Sequence, residues 1–272
     1  MNVFDQSDLD HFEEQGYVIV REAVPKTNCD AVVDAIWSFL GMDRDDPDDW
    51  YREPHKPGGG MVEMYQHPAM WNNRQYPRVH EAFSQLWGTE RLWCSTDRVN
   101  LKPPPHADHP EWDHKGFRHW DADTSKLPLR FGVQGVLYLT DTGADQGSFQ
   151  CMPGGHKALL DVENPYLPEL DPDGFVQIEG KAGDLVIWHR ALAHGNGHNT
   201  SDRPRLAQYI SMRPESFENE DARQHRIKCW RERLCPGGRA FPGDPRGWEA
   251  AHGETAELTP LGRKLLGLDA WE

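Results

Sequence analysis

The sequence lacks long apolar runs and an apolar leader. Its longest hydrophobic stretches, such as Leu185 to Trp188, fall far short of the roughly 20 residues that a membrane-spanning helix needs. The first residues, Met1 to Gln6, contain neither the basic segment nor the apolar segment of a secretory leader. We therefore expect a cytoplasmic protein that has no membrane partner.

Cysteine is scarce, and its spacing excludes two common kinds of structural cross-link. The chain has 5 cysteines, which is an odd number, and no Cys-x-x-Cys pair. Neither a disulfide framework nor a zinc knuckle is therefore indicated. We expect reduced thiols in the core or at the surface.

Positive charge is also in short supply. The 29 Lys and Arg residues are outnumbered by 44 Asp and Glu residues, which gives a formal net charge of −15. A phosphate backbone would be repelled, and no basic cluster interleaved with aromatic residues offsets the repulsion locally. Nucleic acid is thus excluded as an expected partner, and a highly anionic substrate such as a CoA ester is disfavoured.

What the sequence does contain is enough apolar material for a sizeable core. The 272 residues are 37% hydrophobic and include 11 tryptophans, without internal repeats. We expect a single domain over residues 1–272. It comprises N-terminal helices at about 1–41, a barrel core at about 91–214 and a C-terminal helical extension at about 215–272.

Helices and one strand are predicted near the N-terminus. Ser7 is expected to cap a helix that stops at Gly16, and Thr27 a second helix that runs through Leu40. A short strand, Tyr17 to Val20, lies between them. Residues 42–75 are rich in Asp, Pro, Gly and Trp without periodicity, which predicts a long surface loop or lid.

From about residue 91 the pattern changes to strands separated by turns. Helical stretches return in the tail, at about 219–234 and 258–266. A β region with helices on both sides in sequence predicts a mainly β fold with flanking helices, a barrel or sandwich. The predicted strands are residues 92–101, 129–140, 174–178, 184–189 and 205–212.

Candidate metal ligands must be found among 14 histidines. Random placement of these histidines and the 44 acidic residues gives about two His-x-Asp/Glu pairs, so the motif alone decides nothing. The chain has five such pairs, which begin at His11, His106, His109, His119 and His252.

Context favours the pair His119 and Asp121. It alone leads directly into the β region, and on a strand both side chains would share one face while Trp120 points away. A site with two histidines and one carboxylate, with three open positions, suits iron(II) with 2-oxoglutarate and oxygen. The distant ligand could be His189, His194 or His198, and the glycines around His194 favour it.

The 2-oxoglutarate molecule adds its own requirement. Its distal carboxylate must be paired when buried, ideally by a guanidinium group. Arg205 begins an apolar strand that can carry it inward, whereas Arg203 stands in the turn before Pro204. Arg205 could instead form a salt bridge at the edge of the core.

The order of these motifs resembles that of the phytanoyl-CoA dioxygenase family. In that family the 2-oxoglutarate arginine lies eleven positions after the distal histidine, which selects His194 and Arg205 here. The motifs are His119-x-Asp121, Pro153-Gly-Gly-His156, Gly183-Asp-Leu-Val-Ile-Trp188, His194-Gly-Asn-Gly-His-Asn199 and Asp202-Arg-Pro-Arg205.

The resemblance implies a double-stranded β-helix barrel of the jelly-roll, cupin-like type. It also implies an oxygenase that uses Fe(II), 2-oxoglutarate and O2, and that releases succinate and carbon dioxide. Related halogenases have a small residue in place of the carboxylate, so Asp121 argues for hydroxylation. Further candidates for contacts to 2-oxoglutarate are Asn196, Gln134 and Lys102.

Two other readings are compatible with parts of the pattern. One is a metal-dependent hydrolase or isomerase on the same barrel, which has no need for Arg205, and the other is a non-catalytic binding barrel. The expected substrate is a small polar metabolite or a natural-product intermediate, contacted by residues 42–75, residues 103–117 and the tail. The sequence identifies neither this molecule nor an oligomeric state.

Overall fold

A computed structural model describes residues 2–51, 60–121, 123, 125–126, 129–157 and 170–272. Its helices are α1 (Gln6–Gln15), α2 (Lys26–Leu40), α3 (Pro68–Arg74), α4 (Pro77–Trp87), α5 (Glu220–Glu232), α6 (Trp248–His252) and α7 (Pro260–Leu266). Its strands are β1 (Tyr17–Val20), β2 (Met61–Val62), β3 (Leu92–Cys94), β4 (Val99–Lys102), β5 (Phe117–His119), β6 (Val133–Tyr138), β7 (Phe149–Cys151), β8 (Val176–Ile178), β9 (Leu185–His189), β10 (His194–Asn196), β11 (Arg205–Tyr209) and β12 (Met212–Pro214).

The strands form two main antiparallel sheets. The larger sheet has the order β1-β9-β6-β11-β4-β2, and the smaller one has the order β5-β10-β7-β8. Strands β12 and β3 form a separate pair. Two antiparallel sheets whose order departs from chain order, with helices around them, form the predicted jelly-roll fold.

The larger sheet separates two apolar cores, because side chains alternate between its faces. Along β6, Leu137 packs in the core shared with the helices, whereas Val136 and Tyr138 pack in the core that includes Phe149 of the smaller sheet. Strand β9 alternates in the same way, with Ile187 in the first core and Val186 and Trp188 in the second. The face toward the smaller sheet is called the inner face below.

The predicted helix starts need correction, although β1 and the helix ends at Gly16 and Leu40 are confirmed. Helix α1 is capped by Asp5, whose side chain accepts from the Asp8 backbone in a capping box, rather than by Ser7. Helix α2 follows Pro25, so Thr27 lies inside its first turn. A proline before the first turn fixes the extended backbone there without a side-chain cap.

The region 42–75 is not simply a loop. Its described part includes a short 3-10 helix, Pro47–Tyr51, as well as β2 and the largely buried helix α3. The predicted strand over residues 92–101 is two strands in different sheets, β3 and β4. Helices α4 and α6 and the three-residue strands β7 and β10 were not predicted.

Within the described residues, no helix is both long enough and apolar enough to cross a membrane.

Candidate active site

Two short strands of the smaller sheet bring His119 and His194 together. Strand β10 pairs with β5 so that His194 lies directly opposite His119, and their ring centroids are 4.5 Å apart. Directly opposite residues of an antiparallel pair carry neighbouring side chains on one face. Two histidines separated by 75 positions in the chain therefore become neighbours through backbone pairing alone.

Glycine at position 195 permits this pairing. A Cβ atom at Gly195 would lie 1.5 Å from the carbonyl oxygen of Phe117, on the partner strand. No side chain can occupy that space, so the close approach of the two strands requires glycine.

Asp121 completes the cluster just beyond the end of β5. One carboxylate oxygen lies 3.1 Å from His119 Nε2 and the other lies 3.5 Å from His194 Nε2. One ligand atom from each of the three residues falls within 4.8 Å of the others. Trp120 points away from the cluster, as strand alternation predicts, and donates to the Ala191 carbonyl at 3.1 Å.

Neighbouring groups orient these side chains. His194 Nδ1 donates to the Leu192 carbonyl at 2.9 Å, which fixes the ring with Nε2 aimed at Asp121. Gln134 Nε2 donates to Asp121 Oδ2 at 2.6 Å. Phe117 stacks on the His119 ring at 4.7 Å.

The electrostatics of Asp121 keep it ionised. Burial by itself raises the pKa of this carboxyl group, but hydrogen bonds from His119 and His194 outweigh burial and hold the pKa well below its ordinary value. Two histidine nitrogens and one ionised carboxylate oxygen therefore face a common point, and a metal ion bound there would take the place of the imidazole protons.

Arg205 is fully buried on the inner face of the larger sheet. It lies on β11 two residues before Ala207, which packs in the inner core. Its Nη1 donates to Asn100 Oδ1 at 2.8 Å, whereas Nε and Nη2 are buried without a hydrogen-bond partner among the described residues. Two unsatisfied donors on one buried guanidinium group can be satisfied by the carboxylate of a bound ligand.

Lys102 lies directly opposite Arg205 on β4 and is also buried. Its Nζ donates to the Gly197 carbonyl at 2.6 Å. Burial, followed by the charge of Arg205, lowers the pKa of Lys102 to about 8. Two buried cations side by side make this part of the interior attractive to an anion.

The remaining candidates lie at different places. Asn196 lines the cavity described below, and its Nδ2 lies 3.5 Å from the Tyr209 hydroxyl. His198 Nε2 donates to Asp113 at 2.7 Å, and His189 Nδ1 accepts from the Ala191 backbone at 3.1 Å. Among the described residues, neither histidine joins the cluster around Asp121.

A cavity of about 440 Å³ opens onto this cluster. The three segments expected to contact the substrate all contribute to its wall. Met61 comes from residues 42–75, His114 and Phe117 come from residues 103–117, and Ala240 and Phe241 come from the tail. The inner wall near the cluster also includes Phe149, Trp188 and Tyr209.

Sequence reasoning missed Asp97 and Arg98, which also line the cavity. They lie between β3 and β4, inside a segment that was predicted as one strand. The signal was present, since two adjacent charged residues stand in the middle of the predicted strand.

The residues of the site suit the expected iron(II) ion and 2-oxoglutarate. Two histidine nitrogens and a carboxylate suit iron(II), and the orphaned donors of Arg205 suit a dicarboxylate.

Comparisons with known proteins agree with this geometry. A sequence profile described as phytanoyl-CoA dioxygenase matches residues 12–207. The chain is 28% identical to "Ava biosynthesis cluster protein O" of Aspergillus versicolor, and the match covers 83% of each chain.

Two solved structures illustrate the shared fold. The hypothetical protein JW0805 from Escherichia coli is 18% identical with a TM-score of 0.70, over 97% of this chain and 82% of the other. The epimerase SnoN, solved with Fe3+, alpha ketoglutarate and nogalamycin RO, is 20% identical with a TM-score of 0.56, over 76% of this chain and 82% of the other.

The extent of the profile match, together with the cluster of His119, Asp121 and His194, confirms the predicted reaction class, an oxygenase that depends on iron(II) and 2-oxoglutarate. The chain belongs to the phytanoyl-CoA dioxygenase family.

Proposed function

We propose that this protein hydroxylates a small organic molecule, with His119, Asp121 and His194 as the iron ligands. The observation that carries the proposal is the pairing of this cluster with Arg205, whose buried Nε and Nη2 lack partners among the described residues. A metal-dependent hydrolase or isomerase has no use for such an arginine.

Each residue around the metal cluster would have a distinct role. Arg205 would bind the distal carboxylate of 2-oxoglutarate, and Lys102 beside it adds positive charge. Gln134 would hold Asp121 in its ligating orientation through the 2.6 Å hydrogen bond. When bound, iron(II) with 2-oxoglutarate and O2 supplies the oxidising power for attack on a C–H bond.

The cavity wall would exclude water and orient the substrate. Phe117, Phe149 and Trp188 surround the cluster with aromatic surface, so little solvent remains once a molecule fills the space. Asp121 occupies the position at which related halogenases lack a carboxylate, which favours hydroxylation over halogenation. A natural-product intermediate is a substrate of suitable size, and the name of the Aspergillus versicolor relative supports that class.

The test has two stages. Under anaerobic conditions, addition of iron(II) and then 2-oxoglutarate should produce a visible charge-transfer band. The absence of a band from folded protein would contradict the cofactor assignment. A panel of metabolites and natural-product precursors is then screened for stimulated succinate formation, and the product should contain one additional oxygen atom. A product of unchanged composition, as an epimerase gives, would refute hydroxylation.

A further inference from the structure

We propose that the part of the cavity wall formed by Asp97, Arg98 and Phe241 recognises a positively charged nitrogen of the substrate, so that the substrate is an organic amine. This inference rests on the proposed function, because the wall belongs to the cavity that opens onto the metal cluster. It adds the substrate class, which neither the family nor the cluster specifies.

Arg98 is the cation of this wall, but its charge is already matched. Its Nη1 donates to Glu63 at 2.7 Å, and its guanidinium carbon lies 4.9 Å from the centre of the Phe241 ring. Only 15% of the Arg98 side chain is exposed. A paired, stacked and largely covered guanidinium is poorly placed to bind an anionic substrate.

Asp97 is the anion of the wall, and its charge is less well matched. Its Oδ1 accepts from the Arg98 backbone at 2.7 Å, but the Arg98 Nε atom lies 3.7 Å away and makes no hydrogen bond among the described residues. The nearby Arg74 donates to the carbonyl oxygens of Tyr65 and Asp97 rather than to a carboxylate. The Asp97 carboxylate therefore retains capacity to accept hydrogen bonds from a ligand.

The electrostatic setting of Asp97 points the same way. Burial raises the pKa of Asp97, because the backbone hydrogen bond from Arg98 and the charges of Arg98 and Arg74, which lower it, only partly offset the desolvation. A cation bound beside the Asp97 carboxylate would offset this cost of burial. The net charge of −15 also attracts organic cations toward the protein as a whole.

The wall is held rigidly before any ligand binds. Arg74 Nη2 donates to the Asp97 carbonyl at 2.5 Å, and the Tyr209 backbone on β11 donates to the Arg98 carbonyl at 3.1 Å. Preorganised acceptors lose little entropy on binding, which makes them effective determinants of specificity.

Part of this wall lies outside the family match. The matched region ends at residue 207, whereas Phe241 comes from the segment between α5 and α6. Phe241 packs against Arg98 and, edge to face at 6.0 Å, against Tyr65. The aromatic surface beside Asp97 is thus supplied by the chain's own extension, and it complements an ammonium group that carries an apolar body.

The test measures binding of three probes of matched shape: phenethylamine, 2-phenylethanol and phenylacetate. Calorimetric titrations are made anaerobically on protein loaded with iron(II) and 2-oxoglutarate. We expect phenethylamine to bind at least tenfold more tightly than either other probe. Asp97→Asn should remove that preference, whereas the fully solvated control Asp202→Asn should keep it.

The outcomes separate this inference from the proposed function. If the charge-transfer band forms but the amine binds no better than the alcohol, the amine inference is wrong while the oxygenase assignment stands. Tighter binding of phenylacetate would instead assign the wall to an anion. The comparison among probes in the unaltered protein needs no variant, so a poorly folded Asp97→Asn protein would not leave the question open.

Discussion

At the scale of single residues, Arg205 offers the sharpest prediction. Arg205→Ala should raise the dissociation constant for 2-oxoglutarate about tenfold or more, because roughly 1.4 kcal/mol or more is lost with a buried charge-assisted pair. Titration of the charge-transfer band with 2-oxoglutarate measures this constant directly.

The matched control is Arg203→Ala, two positions earlier in the chain. The Arg203 side chain is 60% exposed and lies beside Asp202, so its removal should leave the constant unchanged. If both variants bind 2-oxoglutarate as the unaltered protein does, the distal carboxylate is held elsewhere, and Lys102 becomes the first candidate.

Strand context and the family resemblance brought out the cluster and its arginine, but they did not reveal the partner of Gln134. The His119 and Asp121 pair follows from strand alternation, and the family spacing selects His194 and Arg205. Gln134 was expected near 2-oxoglutarate, whereas it donates to Asp121. That contact joins β6 of the larger sheet to the segment just after β5 of the smaller sheet, and no local pattern encodes which side chains meet between sheets.

At the scale of elements, the β5 and β10 pair carries the site. Gly195→Ala would place a methyl group against the Phe117 carbonyl oxygen and force the two strands apart. We expect iron(II) affinity to fall at least tenfold and the free energy of unfolding to fall by about 2 kcal/mol or more. Equilibrium metal titration and denaturant unfolding measure the two effects.

Gly174→Ala is a suitable comparison for that variant. There the nearest atom to an added Cβ is the flexible end of the Met152 side chain, at 3.1 Å, which can move aside. This variant should bind iron(II) normally. Equal losses in the two variants would mean that the strand separation at Gly195 is not the cause.

The sequence predicted the longer helices and strands better than the shortest strands. Helix α2 is long enough to display helical spacing, and strands β9 and β11 are long enough to stand out as segments between turns. Strands β7 and β10 have three residues each, too few to show alternation. Their pairing is decided by tertiary contacts, so β10, which carries His194, could not be predicted as a strand.

At the scale of the whole molecule, one buried carboxylate ties the C-terminal extension to the region before α3. Glu249 on α6 accepts from the backbones of Tyr65 at 2.6 Å and Gln66 at 2.8 Å. Burial raises the pKa of Glu249 from 4.5 to about 7, because these backbone donors only partly offset the desolvation.

This pKa predicts a pH dependence of stability. The folded protein holds the Glu249 proton more tightly than the unfolded chain does, so its contribution is complete below about pH 4.5 and is lost as pH rises through 7. A shift from 4.5 to about 7 corresponds to roughly 3 kcal/mol. The free energy of unfolding of Glu249→Gln should therefore fall less steeply than that of the unaltered protein between pH 5 and 8.

Chemical denaturation across this range, with the exposed Glu254→Gln as control, isolates the effect because other titrating groups are common to all three proteins. Parallel curves for Glu249→Gln and the unaltered protein would contradict the assignment.

The sequence predicted a helical extension at about 215–272, but it did not predict how the extension attaches to the rest of the protein. The contacts of Glu249 with Tyr65 and of Phe241 with Arg98 join residues more than 140 positions apart.

The neighbouring cations Lys102 and Arg205 affect the stability of the folded protein when 2-oxoglutarate is not bound. Two like charges buried side by side repel each other, so an anion that binds beside them would stabilise the folded state. By mass action, 2-oxoglutarate bound at Arg205 as proposed would act as a structural counterion as well as a reactant. The concentration of 2-oxoglutarate would thus affect the folding stability of this enzyme in addition to its turnover rate.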